Sequence, residues 1–152
     1  MAISRIPAEV VTYLHTHIPI SQAMGVRVEA CGRDEVRLSA PLAANVNHRA
    51  TVFGGSASAL AILAGWTWMH LALGEAGFSC RLVIQRNEME YLRPIDGDFT
   101  ARCTAVSDLR FTKLVETLRR RGKARLKMKA DLLLEGEVVG RFAGDYVAIT
   151  HP

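Results

Sequence analysis

Between Arg49 and Glu75 the chain carries no formally charged side chain, and this run, "ATVFGGSASALAILAGWTWMHLALG", constrains everything built around it. As a helix it is long enough to cross a bilayer, which takes about 20 apolar residues. A helix that is apolar on every side is buried either in lipid or in protein. Ser56, Ser58, Thr67 and His70 lie inside the run, Gly and Ala fill much of it, and strand-like sequence follows at once. These features favour a buried core helix from about Gly54 to Leu73, with Gly74 and Gly77 punctuating its end. Such a helix requires a wrapping.

The rest of the chain supplies one. "VRVEACGRDEVRLSAPL" alternates Val26, Val28 and Ala30 with Arg27 and Glu29, turns at "CGRD", then alternates Val36, Leu38 and Ala40 with Glu35, Arg37 and Ser39. That period of two describes a hairpin with one wet face. After the apolar run, "RLVIQRNEMEYLRPIDGDFTARCTAV" reads as two strands joined by the "PIDGD" turn, Pro94 ending the first because it cannot donate to a ladder. Lys123, Arg125, Lys127 and Lys129 alternate with Ala124, Leu126, Met128 and Ala130, a strong strand signal. An "EGE" turn at Glu135 to Glu137 sends a last strand back through Tyr146 to Ile149. Two lesser helices complete the pattern. One has Ser4 as its cap, Pro7 near its first turn, Val10, Val11 and Leu14 as its stripe and Pro19 as its stop. The other runs from Asp108 to Arg121 with Gly122 beyond it.

Six strands and one very apolar helix predict an α+β domain in which an antiparallel sheet, dry on one face, curls around the helix. With 152 residues and no repeat or linker, residues 1–152 are expected to form a single domain. A sheet curled round one helix leaves an edge strand that commonly pairs with a second copy, so a homodimer or a larger homo-oligomer such as a tetramer is expected.

A net charge of +4 is modest, and aromatic and basic residues do not interleave as they do on base-stacking surfaces. We therefore expect no nucleic-acid partner and no membrane; acidic small molecules or an acidic carrier protein suit the charge better. Cys31, Cys80 and Cys103 are far apart, with no Cys-x-x-Cys pair and no Cys/His cluster at zinc spacing. Reduced thiols, no metal and a cytoplasmic location are the expectation. The N-terminus has no apolar signal-peptide core, since Glu9 interrupts the only candidate.

At this point the sequence resembles the hot-dog fold of the thioesterase superfamily. "TVFGGSASALAILAGW" is similar to the Phe-Gly-Gly or His-Gly-Gly entry into the hot-dog helix. "MEYLRPIDGDFTARC" resembles the strand–turn–strand that follows it, and "GKARLKMKADLLLEGEVVGRFAGDYVAI" the closing hairpin. These segments span about Met24 to Ile149 in the right order. The likeness is to the thioesterase branch that also occurs as the second domain behind a GNAT acetyltransferase. The resemblance implies hydrolysis of acyl thioesters of coenzyme A or acyl carrier protein, with no cofactor beyond the coenzyme A or phosphopantetheine of the substrate itself. An acyl-binding or regulatory module on the same fold is the alternative, and hydratase or dehydratase chemistry, which wants an Asp/His pair, ranks last.

Thioester hydrolysis needs a donor for the carbonyl, a positioned water or nucleophile, and a slot for the acyl chain. Gly54 and Gly55 fit the first task, because leading amides of a helix lack intrahelical partners and the dipole is positive there. The acidic members of the superfamily carry a carboxylate nine residues after the residue that precedes Gly-Gly; from Phe53 that position is Ile62. The chain departs from the pattern here. What surrounds the entry is polar and uncharged: Asn45, Asn47, His48, Thr51, Ser56 and Ser58. By resemblance Asn47 orients the water or carbonyl, and His48 is the residue type that takes a proton near neutrality. Ser58 is a rival nucleophile or water anchor. Asn45, Thr51, Phe53, Gly54 and Ser56 are expected to line the substrate site, with Arg119, Arg121, Lys123 and Arg125 facing the phosphates of coenzyme A or an acidic helix of a carrier protein. Glu88 and Glu90 are expected to face solvent beside Arg86 and Arg93, the alternative being that they supply the missing carboxylate from a neighbouring subunit. His70 is expected to be core, as are Trp66, Trp68 and Met69, the alternative for some of these three being the lining of an acyl tunnel.

Overall fold

A computed structural model describes residues 4–150. Three helices precede the edge of the second hairpin: α1 (Pro7–His17), α2 (Pro19–Ala23) and, after strands β1 (Arg27–Cys31) and β2 (Glu35–Ala40), the long α3 (Gly54–Glu75). There follow β3 (Cys80–Tyr91), β4 (Phe99–Thr104), α4 (Asp108–Arg121), β5 (Lys123–Leu134) and β6 (Glu137–Thr150). All six strands form one antiparallel sheet in the order β1-β2-β4-β5-β6-β3.

The uncharged run is the core helix. Leu60, Ala61, Ala64 and Met69 of α3 are wholly buried, as are Val36, Leu38, Ala101, Met128 and Leu132 of the surrounding strands. Small residues let the helix sit close to the sheet. Tyr146 of β6 stands under its middle and donates its hydroxyl to the Ile62 carbonyl at 2.5 Å. A Cβ on Gly65 would lie 2.5 Å from that same oxygen, so only glycine leaves room for the tyrosine.

One local reading is corrected and another extended. Ser4 does not cap α1: Ile6 is the N-cap, in extended conformation with no side-chain cap bond, and Pro7 starts the helix where a missing N–H costs nothing. Pro19 does stop α1, because the residue before a proline is pushed out of the helical region and Ile18 takes φ −128, ψ 77. It also opens a one-turn helix, α2, that the sequence did not suggest. The last strand leaves the "EGE" turn at Glu137 and runs through Tyr146 as expected, so β5 and β6 form a long hairpin. The "PIDGD" segment does join two strands, but they are not neighbours. β3 pairs only with β6, while β4 crosses to lie between β2 and β5. This crossing puts the 12-residue β3 at the sheet's edge, unpaired on its outer side among the described residues. α4 ends as the sequence suggests: Ser107 caps its start by accepting from the Arg110 N–H, and Gly122 at φ +70 closes it.

Candidate active site

Residues 41–53 form the loop that delivers the chain to α3. Asn45 is 3% exposed; its amide donates to the Met24 and Pro41 carbonyls at 2.9 and 2.8 Å, while its side-chain oxygen meets no donor among the described residues. The Asn45 carbonyl accepts from the Phe53 N–H at 2.7 Å. Asn45 is therefore the loop's anchor. Val46 and Val52 bridge, and the Val52 N–H reaches the Ile95 carbonyl of the β3–β4 connection at 2.8 Å.

Asn47 closes the tip of the loop. Its side-chain oxygen accepts from the N–H groups of Arg49 and Thr51 at 2.8 and 3.2 Å, and its amide donates to Thr51 Oγ1 at 2.9 Å. Ala50 takes φ +61 inside this turn. Asn47 and Thr51 are thus engaged with each other, and the tip between them exposes His48 together with Arg49 and Ala50.

The first turn of α3 has the geometry expected of a carbonyl-binding tip. Phe53 is the N-cap and offers no side-chain cap bond. The N–H groups of Ser56 and Ala57 both turn back to the Phe53 carbonyl. Those of Gly54 and Gly55 meet no acceptor among the described residues, so two donors at the positive end of a helix dipole are left over. The exposed Phe53 ring lies against Gly55, where an added Cβ would come within 2.9 Å of the ring Cζ.

Tyr91, at the end of β3, is a residue the sequence reading missed. Its hydroxyl donates to the Gly54 carbonyl at 2.7 Å and so pins the first turn of α3 to the edge strand. Partial burial pushes the phenol's pKa up. A bulge between Ile84 and Arg86 explains how Tyr91 arrives there: it resets the alternation so that Asn87, Met89 and Tyr91, paired with Gly144, Phe142 and Gly140, share the helix side of the sheet. The same bulge turns Glu88 and Glu90 to the outer face, where Glu90 lies 3.8 Å from Arg141.

From this tip a half-exposed line runs along α3 at four-residue spacing through Ser58, Ile62, Trp66 and His70, beside β3. Ser56 and Ser58 are half-buried and without side-chain hydrogen bonds among the described residues. Ile62 packs against the core, so the position where a carboxylate was sought is apolar in fact as well as in sequence. Trp66 donates its indole N–H to the Leu82 carbonyl at 3.0 Å. His70 stacks against both Trp66 and Tyr13, with ring centroids 4.6 and 5.0 Å away. Trp68 and Met69 are buried.

Arg119, Arg121, Lys123 and Arg125 do not join this group within one chain. Tyr91 is level with Gly140 and Leu132, whereas Lys123 pairs with Ile149 at the other end of the sheet, about 30 Å away along β5. Arg119 lies over the Phe78 ring just past the C-terminus of α3. The four cations occupy the end of the molecule opposite the Gly-Gly tip.

A long apolar helix enclosed by a curved antiparallel sheet, its Gly-Gly tip beside the edge strand, is the hot-dog fold as thioesterases use it. The crystal structure of a protein of unknown function from Chlorobaculum tepidum TLS matches with a TM-score of 0.89 at 29% identity, covering 97% of this chain and 99% of that one. The structure described as the putative thioesterase from Shewanella oneidensis matches with a TM-score of 0.83 at 27% identity, over 94% of this chain and 96% of its own. A protein of unknown function from Pseudomonas aeruginosa, described as a probable thioesterase, matches with a TM-score of 0.81 at 26% identity over 99% and 100% of the two chains. Residues 7–150 match the family model described as "Putative thioesterase (yiiD_Cterm)", and the chain belongs to that family.

Proposed function

We propose that the protein hydrolyses acyl thioesters of coenzyme A or acyl carrier protein at the N-terminus of α3. The observation that carries this is the pair of unpartnered N–H groups on Gly54 and Gly55, aimed out of a helix tip in a family described as thioesterases. In the proposed site these amides hold the thioester oxygen and stabilise the oxyanion as water adds to the carbonyl carbon. His48 takes the proton from that water, on a loop whose shape Asn47 and Thr51 maintain. The tetrahedral intermediate then expels the thiolate, which is protonated as free thiol. The acyl chain follows the Ser58–Ile62–Trp66 line, about 16 Å of helix from Gly55 to Trp66. Phe53 covers the tip and swings aside for the substrate.

The reading includes a homodimer. The unpaired outer side of β3 and the exposed apolar side chains of Phe53, Val83, Tyr91 and Leu92 favour pairing of two β3 edges. A second reading, acyl binding without turnover, is favoured by one observation, the apolar Ile62 where acidic relatives of the fold carry a carboxylate.

A thiol-release assay across acyl lengths separates the two. Turnover by the wild-type chain, lowered about 10²-fold or more by Gly55→Ala or His48→Ala, supports hydrolysis. Saturable acyl-CoA binding with no thiol release, or full activity in both variants, overturns it.

A further inference from the structure

Charge is unevenly placed along this chain. Residues 108–129 hold nine of its nineteen Lys and Arg but two of its fifteen Asp and Glu, leaving the remainder with more anions than cations. The segment is α4 and the first half of β5. These two elements also enclose a cleft.

The cleft exists because β4 stops short. β4 pairs with β5 only from Ala130 to Leu133, so residues Lys123 to Lys129 have β6 on one side and no strand on the other. α4 fills part of that flank. Arg110 reaches from it to donate to the Lys127 carbonyl at 2.9 Å. The alternation of a strand then turns the backbone N–H groups of Arg125 and Lys127 toward α4 as well, because a residue's N–H and C=O point to the same side. Neither N–H has an acceptor among the described residues. Between α4 and this uncovered edge lies an open hollow of about 250 Å³, walled by Arg110, Lys113, Thr117, Arg125 and Lys127 over an apolar floor of Leu114, Ala124 and Leu126, with no acidic residue in its lining.

We infer that this cleft binds a phosphate or diphosphate group of a small phosphorylated ligand. Two fixed backbone N–H groups, a guanidinium held in place by the Lys127 carbonyl and the exposed ammonium of Lys113 outweigh the one uncapped carbonyl, that of Arg125, on the same edge, and together favour an oxyanion. The side chains of Arg125 and Lys127 extend over the outer face instead, to Gln85 Oε1 at 3.3 Å and Asp145 Oδ1 at 3.9 Å. Their contribution inside the cleft is main chain. An extended peptide is the wrong occupant: α4 and Arg110 already block the edge on which a strand would pair. The inference does not depend on thioester hydrolysis, and its test reads binding alone.

The test is titration of the ¹⁵N-labelled protein with inorganic pyrophosphate. Saturable shifts centred on the Arg125 and Lys127 amides, with a Kd of about 1 mM or tighter, are expected. Lys113→Glu should weaken binding about tenfold, and Arg27→Glu, exposed on β1 at the far edge of the sheet, less than twofold. Lys113→Gln, which keeps the stem without the charge, should fall between wild type and Lys113→Glu. The inference is overturned if pyrophosphate gives no saturable shift at these amides, or if the two charge reversals weaken it equally. A short DNA duplex that shifts the same amides more strongly than pyrophosphate also overturns it.

Discussion

His70 shows what a tertiary neighbourhood does to one side chain. Burial, and then the nearby charge of His17, hold its pKa below the ordinary 6.5. The folded protein resists a proton that the unfolded chain accepts, so stability is complete above about pH 6.5 and declines as the pH falls through it. Tyr13 stacks between the two imidazoles, so all three rings are coupled through one column. Thermal melts from about pH 7.5 to about pH 5 should show a falling midpoint, with part of the fall removed by His70→Gln. Equal slopes for wild type and variant would assign the loss to other groups. Asn45 and Asn47 carry a related lesson. In sequence Asn47 reads as a catalytic residue and Asn45 as a substrate contact, yet both are hydrogen-bonded into the loop, which leaves His48 as the loop's exposed imidazole.

At the scale of elements, the closest fit is between α3 and β6. Gly65 and Tyr146 occupy one space, and burial pushes the Tyr146 pKa far up, so its phenol remains a donor to the Ile62 carbonyl at any ordinary pH. Gly65→Ala should destabilise the fold by about 1–3 kcal/mol in denaturant unfolding. Combining it with Tyr146→Phe should cost less than the sum of the two single changes, because the clash and the lost hydroxyl involve the same atom. Strict additivity would mean that the helix shifts and leaves the pair uncoupled. The same packing accounts for the composition of the uncharged run. Gly and Ala are there because a helix inside a curved sheet has little radius to fill.

For the whole molecule, the edge strand matters most. β3 runs for 12 residues with no strand on its outer side among the described residues, and the Gly-Gly tip, Tyr91 and Phe53 lie at one end of it. Light scattering of the purified protein should give at least twice the chain's 16.7 kDa, and a monomer at micromolar concentration would remove the β3 pairing. In a two-fold antiparallel pairing of β3, the basic end of one copy is brought beside the Gly-Gly tip of the other. That arrangement bears on Arg119, Arg121, Lys123 and Arg125, which a single chain places about 30 Å from its own tip.

The local sequence was sufficient for the six strands and for α1, α3 and α4, though not for the one-turn α2. Period-two alternation placed the strands, the missing charges placed α3 inside the sheet, and Gly122 placed the end of α4, because each depends on residues a few positions apart. The Gly-Gly tip was legible for the same reason. Tyr91 was not, since its place beside Gly54 depends on one bulge in β3 and on β3 crossing to pair with β6. Nor was the separation of the basic cluster from the tip, which follows from strand order. Side-chain periodicity is a property of neighbours in sequence; which ends of which strands meet is decided only when the sheet closes around the helix.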